Sequence, residues 1–275
     1  MNAREPEPGL VPVGPSPAGS DAYKPSEIIR LVEASGVAKT QLTTTQVMAL
    51  AILAGAFIGF GAAFYTGVMT GVDPGFGPNR VLGGFAFCLG LILVVVGGAE
   101  LFTGNALIVM AWVDRQISTR ALLRNWGLVL VGNVIGAAIL AVAVDASGLL
   151  SGATAATAVK IAEAKMALPF TEAFVRGALC NALVCLAVWL SVAARTATGK
   201  ILAILWPITA FVALGFEHSV ANFYFLAAGF LAGAQGGLLD ILGNLVPVTL
   251  GNIVGGTGGV ALAYWAAYRR RAPAE

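Results

Sequence analysis

Glu100, Glu217 and His218 stand inside long stretches that are otherwise free of charge. A charge at the middle of a bilayer costs about 2.5–3.5 kcal/mol even on the lenient insertion scale, so such residues need a partner or a task. Two roles fit the glutamates. Each carboxylate can brace a break in a helix by accepting backbone N–H groups freed there, or it can touch a solute directly. His218 is the only histidine. Histidine alone titrates near neutral pH unperturbed, so it can be a proton donor or an anion contact; the alternative is a satisfied core histidine. Asn105 and Asn222 follow the glutamates by five residues and are placed to tie the next helical segment to a neighbour. Three cysteines, Cys88, Cys180 and Cys185, lie in apolar stretches and have no zinc-site spacing, so they read as small buried hydrophobes and no metal is expected. No nucleophile–base set surrounds the histidine, which argues against an intramembrane enzyme and leaves no cofactor to expect.

These polar residues recur. Gly98, Glu100 and Asn105 form G-x-E-x4-N, and Gly215, Glu217 and Asn222 repeat it 117 residues later. Asn125, Gly132, Asn133 and Gly136 form N-x6-G-N-x2-G, and Asn244, Gly251, Asn252 and Gly255 repeat it 119 residues later. The position matching His218 in the first half is Leu101, so repeat symmetry does not require a polar group there.

The elements that carry these residues are membrane spans. The chain of 275 residues is 11% charged and 58% hydrophobic, with a mean hydropathy of +0.85. Soluble domains carry roughly 25% charge, so an ordinary soluble globule is excluded. Net charge is +2, and no basic field points to nucleic acid. Thirty-five glycines suit close helix approach in lipid. Charge-free gaps predict six spans near 46–71, 81–112, 122–145, 169–194, 200–235 and 242–268. The second and fifth are too long for one straight helix, and the glutamates mark where they break. Each half holds three spans, an odd number, so the copies must face opposite ways across the membrane. With the N-terminus cytoplasmic, twelve of the sixteen Lys and Arg residues lie on the cytoplasmic side, and so does the C-terminus.

Before the spans, residues 1–25 hold six of the twelve prolines and read as a disordered tail. Residues 26–43 predict a short amphipathic helix and linker on the membrane surface, capped by Ser26 and ended by Gly36. A basic cytoplasmic end follows at 269–275, after a six-span transmembrane domain at 44–268.

GLILVVVGGAELFTGN (90–105), LCNALVCLAVWLS (179–191), GFEHSVANFYF (215–225) and GNLVPVTLGNIVGG (243–256) resemble the formate–nitrite transporter family. DAYKPSEIIRLVEASGVAK (21–39) resembles the cytoplasmic N-terminal segment of its formate channels, and the likeness covers about 20–268. It implies an all-α integral membrane protein with an aquaporin-like inverted repeat of three plus three helices. It also implies a homopentamer with one pore per protomer, in the inner membrane of a bacterium. Small monovalent anions such as formate, nitrite or hydrosulfide would be carried. By motif, Phe87 and Phe211 would narrow the outer pore. Leu91, Leu101 and Val184 would form apolar constrictions, with Leu91 in the loop that breaks span two. Thr103 and His218 would face the pore between them, and Lys165 would sit in an outer vestibule near Asn181. Formate would be the first substrate and nitrite the next, with His218 giving the anion a proton in transit or only a hydrogen bond. An aquaporin-like neutral-solute pore is the other class of reading, weakened by the vestibular lysine.

Overall fold

The computed structural model describes residues 22–269. The expected tail and basic C-terminus therefore lie almost wholly outside the described residues. The helices are α1 (Pro25–Gln41), α2 (Thr44–Met69), α3 (Gly77–Gly97), α4 (Gly104–Val113, its first turns 3-10), α5 (Thr119–Ala146), α6 (Gly152–Met166), α7 (Phe170–Ala193), α8 (Ala197–Ala213), α9 (Ser219–Leu231) and α10 (Leu238–Val254). α10 continues through wide turns at Gly255–Leu262 into α11 (Ala263–Arg269). Among the described residues no named strand occurs, and one isolated bridge joins Ala22 to Ala194.

Among the described residues, five helices are long and apolar enough to cross a membrane: α2, α3, α5, α7 and the run Leu238–Tyr268. The stretch expected at 200–235 instead holds two shorter apolar helices, α8 and α9. Large apolar side chains such as Phe60, Phe64, Phe85, Leu123, Ile139 and Trp206 point outward. That outer surface suits lipid or a protein neighbour, not water.

The helices come as two matched sets, α1–α5 and α6–α10. α2 packs along α5 and α7 along α10, while α3 meets α8 at the centre. The short helix of each half crosses over: α9 packs on α5, and the start of α4 packs on the wide-turn segment after α10. Two glycines permit the tightest pairings. A Cβ on Gly136 would overlap the carbonyl oxygen of Ile52, and one on Gly255 would overlap that of Ala178. Gly136→Ala or Gly255→Ala must push backbones apart, and a destabilisation of about 1–3 kcal/mol is expected from melting in detergent. Gly127, also in α5, has nothing within 4 Å of its added Cβ. Gly127→Ala should instead stabilise by about 0.5–1 kcal/mol through helix propensity.

α1 is a helix within the expected segment, but its cap, its end and its packing differ from expectation. Pro25 opens the helix, and the Glu27 carboxylate accepts the Lys24 N–H at 2.7 Å, so Ser26 is not the cap. Gly36 sits inside the helix and does not end it; an added Cβ there would lie at ordinary contact distance from Ile108 and Ala111, 3.4 Å from the Ile108 Cα. The apolar face of Ile28, Ile29 and Val32 is buried against Leu107, Met110 and Trp189, not laid on lipid. A ready protein surface at α4 and α7 offers better packing than the bilayer interface. α6 is a helix in the connection between the third and fourth expected spans, and it packs on α9.

Candidate functional site

Both interruptions start with a glycine in the left-handed region, Gly98 at φ +77° and Gly215 at φ +72°. A side chain is strained there, so glycine ends α3 and permits the turn after α8. Helix then stops until Gly104 in the first half and Ser219 in the second. Leu91 is accordingly in α3, two turns before the interruption, not in the loop itself. The break comes at Gly98 because the positive-φ residue is there.

The backbone groups freed at the two interruptions find matching partners. Glu100 N–H donates to Leu50 O at 3.2 Å, and Glu217 N–H donates to Arg176 O at 3.3 Å. Asn133 Oδ1 accepts the Phe102 N–H while its Nδ2 donates to Ala51 O and Glu100 O. Asn252 repeats the pattern with Ser219 N–H, Gly177 O and Glu217 O. The second asparagine of each N-x6-G-N motif is thus the clamp that pins the irregular backbone. Such satisfaction is obligatory where no water reaches.

The carboxylates consequently do not take the freed N–H groups, as the sequence suggests they would. Glu100 accepts from Lys39 Nζ at 2.6 Å and from Asn105 Nδ2 at 2.7 Å. Glu217 accepts from Lys165 Nζ at 3.0 Å on both oxygens and from Asn222 Nδ2 at 2.6 Å. Asn105 Nδ2 also donates to Asn125 Oδ1, and Asn222 Nδ2 to Asn244 Oδ1. Asn125 and Asn244 each donate to the backbone oxygen of their lysine, Lys39 or Lys165. Two Lys–Glu–Asn–Asn chains therefore exist, one per half. Lys165 lies in the last turn of α6, and its partner is Glu217; Glu163, two residues before it, accepts the Gln235 N–H instead.

Each chain opens on a cavity. One, of about 220 Å³, is lined by Lys165, Arg176, Glu217, His218, Phe87 and Phe211, with Tyr65 and Phe225 beside them. Lys165 Nζ stands 5.2 Å from the Phe225 ring centre, a cation–π distance. Phe87 and Phe211 meet edge to face at 5.7 Å, and Phe211 stacks on the His218 ring at 5.9 Å. The other cavity, of about 460 Å³, is lined by Lys39, Glu100, Leu91, Leu101, Gly104 and Lys200 among others. His218 lines the first cavity, and Leu101 and Gly104, close to Thr103 on either side, line the second. His218 Nε2 meets Thr103 Oγ1 at 2.9 Å, a bond from a residue that lines the first cavity to one that stands in sequence between two that line the second.

That bond has a direction. His218 caps α9, its Nδ1 accepting the Ala221 N–H at 3.0 Å. The neutral ring therefore carries its proton on Nε2 and donates it to Thr103 Oγ1. The threonine hydroxyl keeps its own proton to offer elsewhere. Val184 is buried in the same cluster as Leu91 and Leu101. Asn181 does not line the Lys165 cavity; its Nδ2 donates to Thr103 O and Asn252 O, two carbonyls near the interruptions.

Sequence reasoning missed Lys39, Lys200, Arg176, Tyr65 and Phe225. A signal for Lys39 existed: Lys165, Arg176 and Gly177 each stand 126 residues after Lys39, Leu50 and Ala51. The repeat thus extends ahead of the first and fourth spans.

Long apolar helices around two lysine-bearing cavities are the build of a multi-pass membrane transport protein. Residues 26–266 match the family described as Formate/nitrite transporter. The chain is 36% identical over 273 residues to the formate channel FocA of Escherichia coli K12, covering 91% of this chain and 96% of that one. A solved FNT family ion channel superposes with a TM-score of 0.83 at 31% identity, over 88% of this chain and 99% of its own. A pentameric formate channel with formate bound gives 0.71 at 37% identity, over 82% and 98%. The chain belongs to the formate/nitrite transporter family.

Proposed function

We propose that the chain is a formate channel, with nitrite or hydrosulfide as further small monovalent anions, and that five copies assemble with one pore each. The observation that carries this is the pair of lysine-bearing cavities, one lined by His218, whose Nε2 bonds Thr103, and the other by Leu101 and Gly104 on either side of that threonine in sequence. A solved relative of 37% identity is a pentameric formate channel with formate bound, which supports both the substrate and the assembly. Six crossings are proposed, with α3–α4 as the interrupted second and α8–α9 as the interrupted fifth. Both termini lie in the cytoplasm and the pore spans the inner membrane of a bacterium. The Lys165 cavity then opens outward and the Lys39 cavity inward. The protein performs no catalysis in this account.

The solute path runs from Lys165 past Phe87 and Phe211 to the Thr103–His218 pair, then past Leu101 and Leu91 to Lys39. A bare anion pays a large desolvation cost among such apolar groups. Lysines at both ends draw it in, and the Thr103 hydroxyl, oriented by His218, donates to it at the narrowest point. The capped Nδ1 supports hydrogen bonding over proton transfer. A neutral imidazole that released its Nε2 proton would become an imidazolate, and an imidazolium would lose the Ala221 N–H.

Glu100, Glu217, Asn105 and Asn222 act by holding the interrupted segments and the lysines, not by touching the solute. Val184 and Asn181 support the wall of the path from α7. Liposomes given formate, nitrite, hydrosulfide, lactate and glycerol on one preparation test the function. Rapid formate and nitrite entry with little glycerol is expected; glycerol swelling without formate entry would point to a neutral-solute pore. Phe87→Ala with Phe211→Ala should widen the path and raise lactate entry relative to formate. An unaltered lactate-to-formate ratio would remove these rings from the filter.

A further inference from the structure

Lys200 faces the Lys39 cavity from the first turn of α8. Among the described residues it makes no ion pair and no side-chain hydrogen bond. Lys39, in the same cavity, is matched by Glu100 at 2.6 Å. The lining thus sets two ammonium groups against one carboxylate, and the unmatched charge is that of Lys200. The other polar groups of the lining are Ser35, Asn105 and Ser191, all neutral. Across the molecule the arrangement differs. The second cation of the Lys165 cavity, Arg176, is held by Glu172 at 2.9 Å. Nor does the helix call for a lysine here, since a cation in a first turn opposes the helix dipole.

We propose that Lys200 is an anion-recruiting residue of the Lys39 cavity, capturing the small monovalent anion before it reaches the Lys39–Glu100 pair. The proposal rests on the anion-channel reading and adds a side-specific element to it. A charged, low-dielectric mouth raises the local concentration of the opposite charge, and salt weakens the effect. Entry from the Lys39 side therefore depends on Lys200, and entry from the Lys165 side does not.

The test uses the full chain with an N-terminal tag, inserted in planar bilayers, with tag accessibility marking the Lys39 side. Formate current is recorded with formate on one side at a time, from about 0.01 M to about 1 M impermeant salt, where the screening length falls from about 30 Å to about 3 Å. For Lys200→Gln the half-saturating formate concentration from the Lys39 side should rise about fivefold at low salt, with the maximal current kept. The shift should vanish at high salt, be absent from the Lys165 side, and be reversed by Lys200→Arg. Equal shifts from both sides, a lowered maximum at unaltered half-saturation, or no shift at all would overturn the proposal. If Lys200→Gln does not assemble, the wild type decides. Its half-saturating concentration must rise with salt more steeply from the Lys39 side than from the other, and equal slopes contradict the role. A wild type without any formate current would remove the channel reading itself, and the proposal with it.

Discussion

Replacing His218 with asparagine is expected to lower formate entry by about 10- to 100-fold while leaving fold and assembly intact. The estimate follows from losing one hydrogen bond to a charged group, about 1.5–3 kcal/mol. Asparagine is a good helix N-cap, so it can keep the Ala221 N–H satisfied. It is too short to reproduce the Nε2 bond to Thr103 Oγ1. The threonine hydroxyl then loses the partner that orients it. His218→Phe removes both bonds and should also lose about 0.5–2 kcal/mol of stability through the missing cap. Melting in detergent separates the two variants, and labelled formate uptake measures the shared loss. The pair of variants also distinguishes hydrogen bonding from proton transfer. With hydrogen bonding, formate carries current in the wild type and both variants reduce that current. Acidification matching formate entry one for one, lost in His218→Asn while current persists, would assign the ring a proton-transfer role instead.

Lys165→Ala is expected to destabilise the protein by about 3–5 kcal/mol, because it leaves a buried carboxylate without its cation. The side chains of Lys165 and Glu217 are only 14% and 6% exposed, and both carboxylate oxygens receive the ammonium. Loss of a lysine that only gathers anions would weaken entry at low formate and matter less at saturation. The geometry changes that expectation: yield and entry should fall together at every concentration. Lys165→Met combined with Glu217→Gln removes both charges and should recover much of the lost stability. If the single variant melts like the wild type, the pair is not holding the second interruption. If the double variant folds and still gathers formate as the wild type does, Lys165 is not what draws the anion.

Much of this site was legible because polar residues are scarce in apolar helices. Glu100, Asn105, Glu217 and Asn222 stood out against their surroundings, and their recurrence gave the two halves. The charge-free gaps located the helices for the same reason, since lipid tolerates few charges. Asn133 and Asn252 were visible as members of a repeated motif, but a motif names no partners. That they clamp the interruptions emerges only when Phe102, Ser219 and the carbonyls of α2 and α7 come together. Lys39 lay outside the charge-free windows, in a segment that resembles α6 only in spacing. α6 was missed because its Ala-rich run carries Lys160, Glu163 and Lys165, which read as a solvated connection. The tautomer of His218 depends on a backbone N–H three residues ahead, which no side-chain pattern reports.

Formate is proposed to cross where Thr103 and His218 meet. The most direct measurement of this is the initial rate of labelled formate uptake into liposomes holding equal amounts of assembled wild type, Thr103→Val or His218→Asn. Thr103→Val keeps the shape of the side chain and removes the hydroxyl, while His218→Asn keeps the hydroxyl and removes the group that orients it. The account predicts rapid uptake by the wild type and a loss of at least about tenfold in each variant, with the oligomer unchanged by light scattering. Wild-type uptake rates in both well-assembled variants would contradict it.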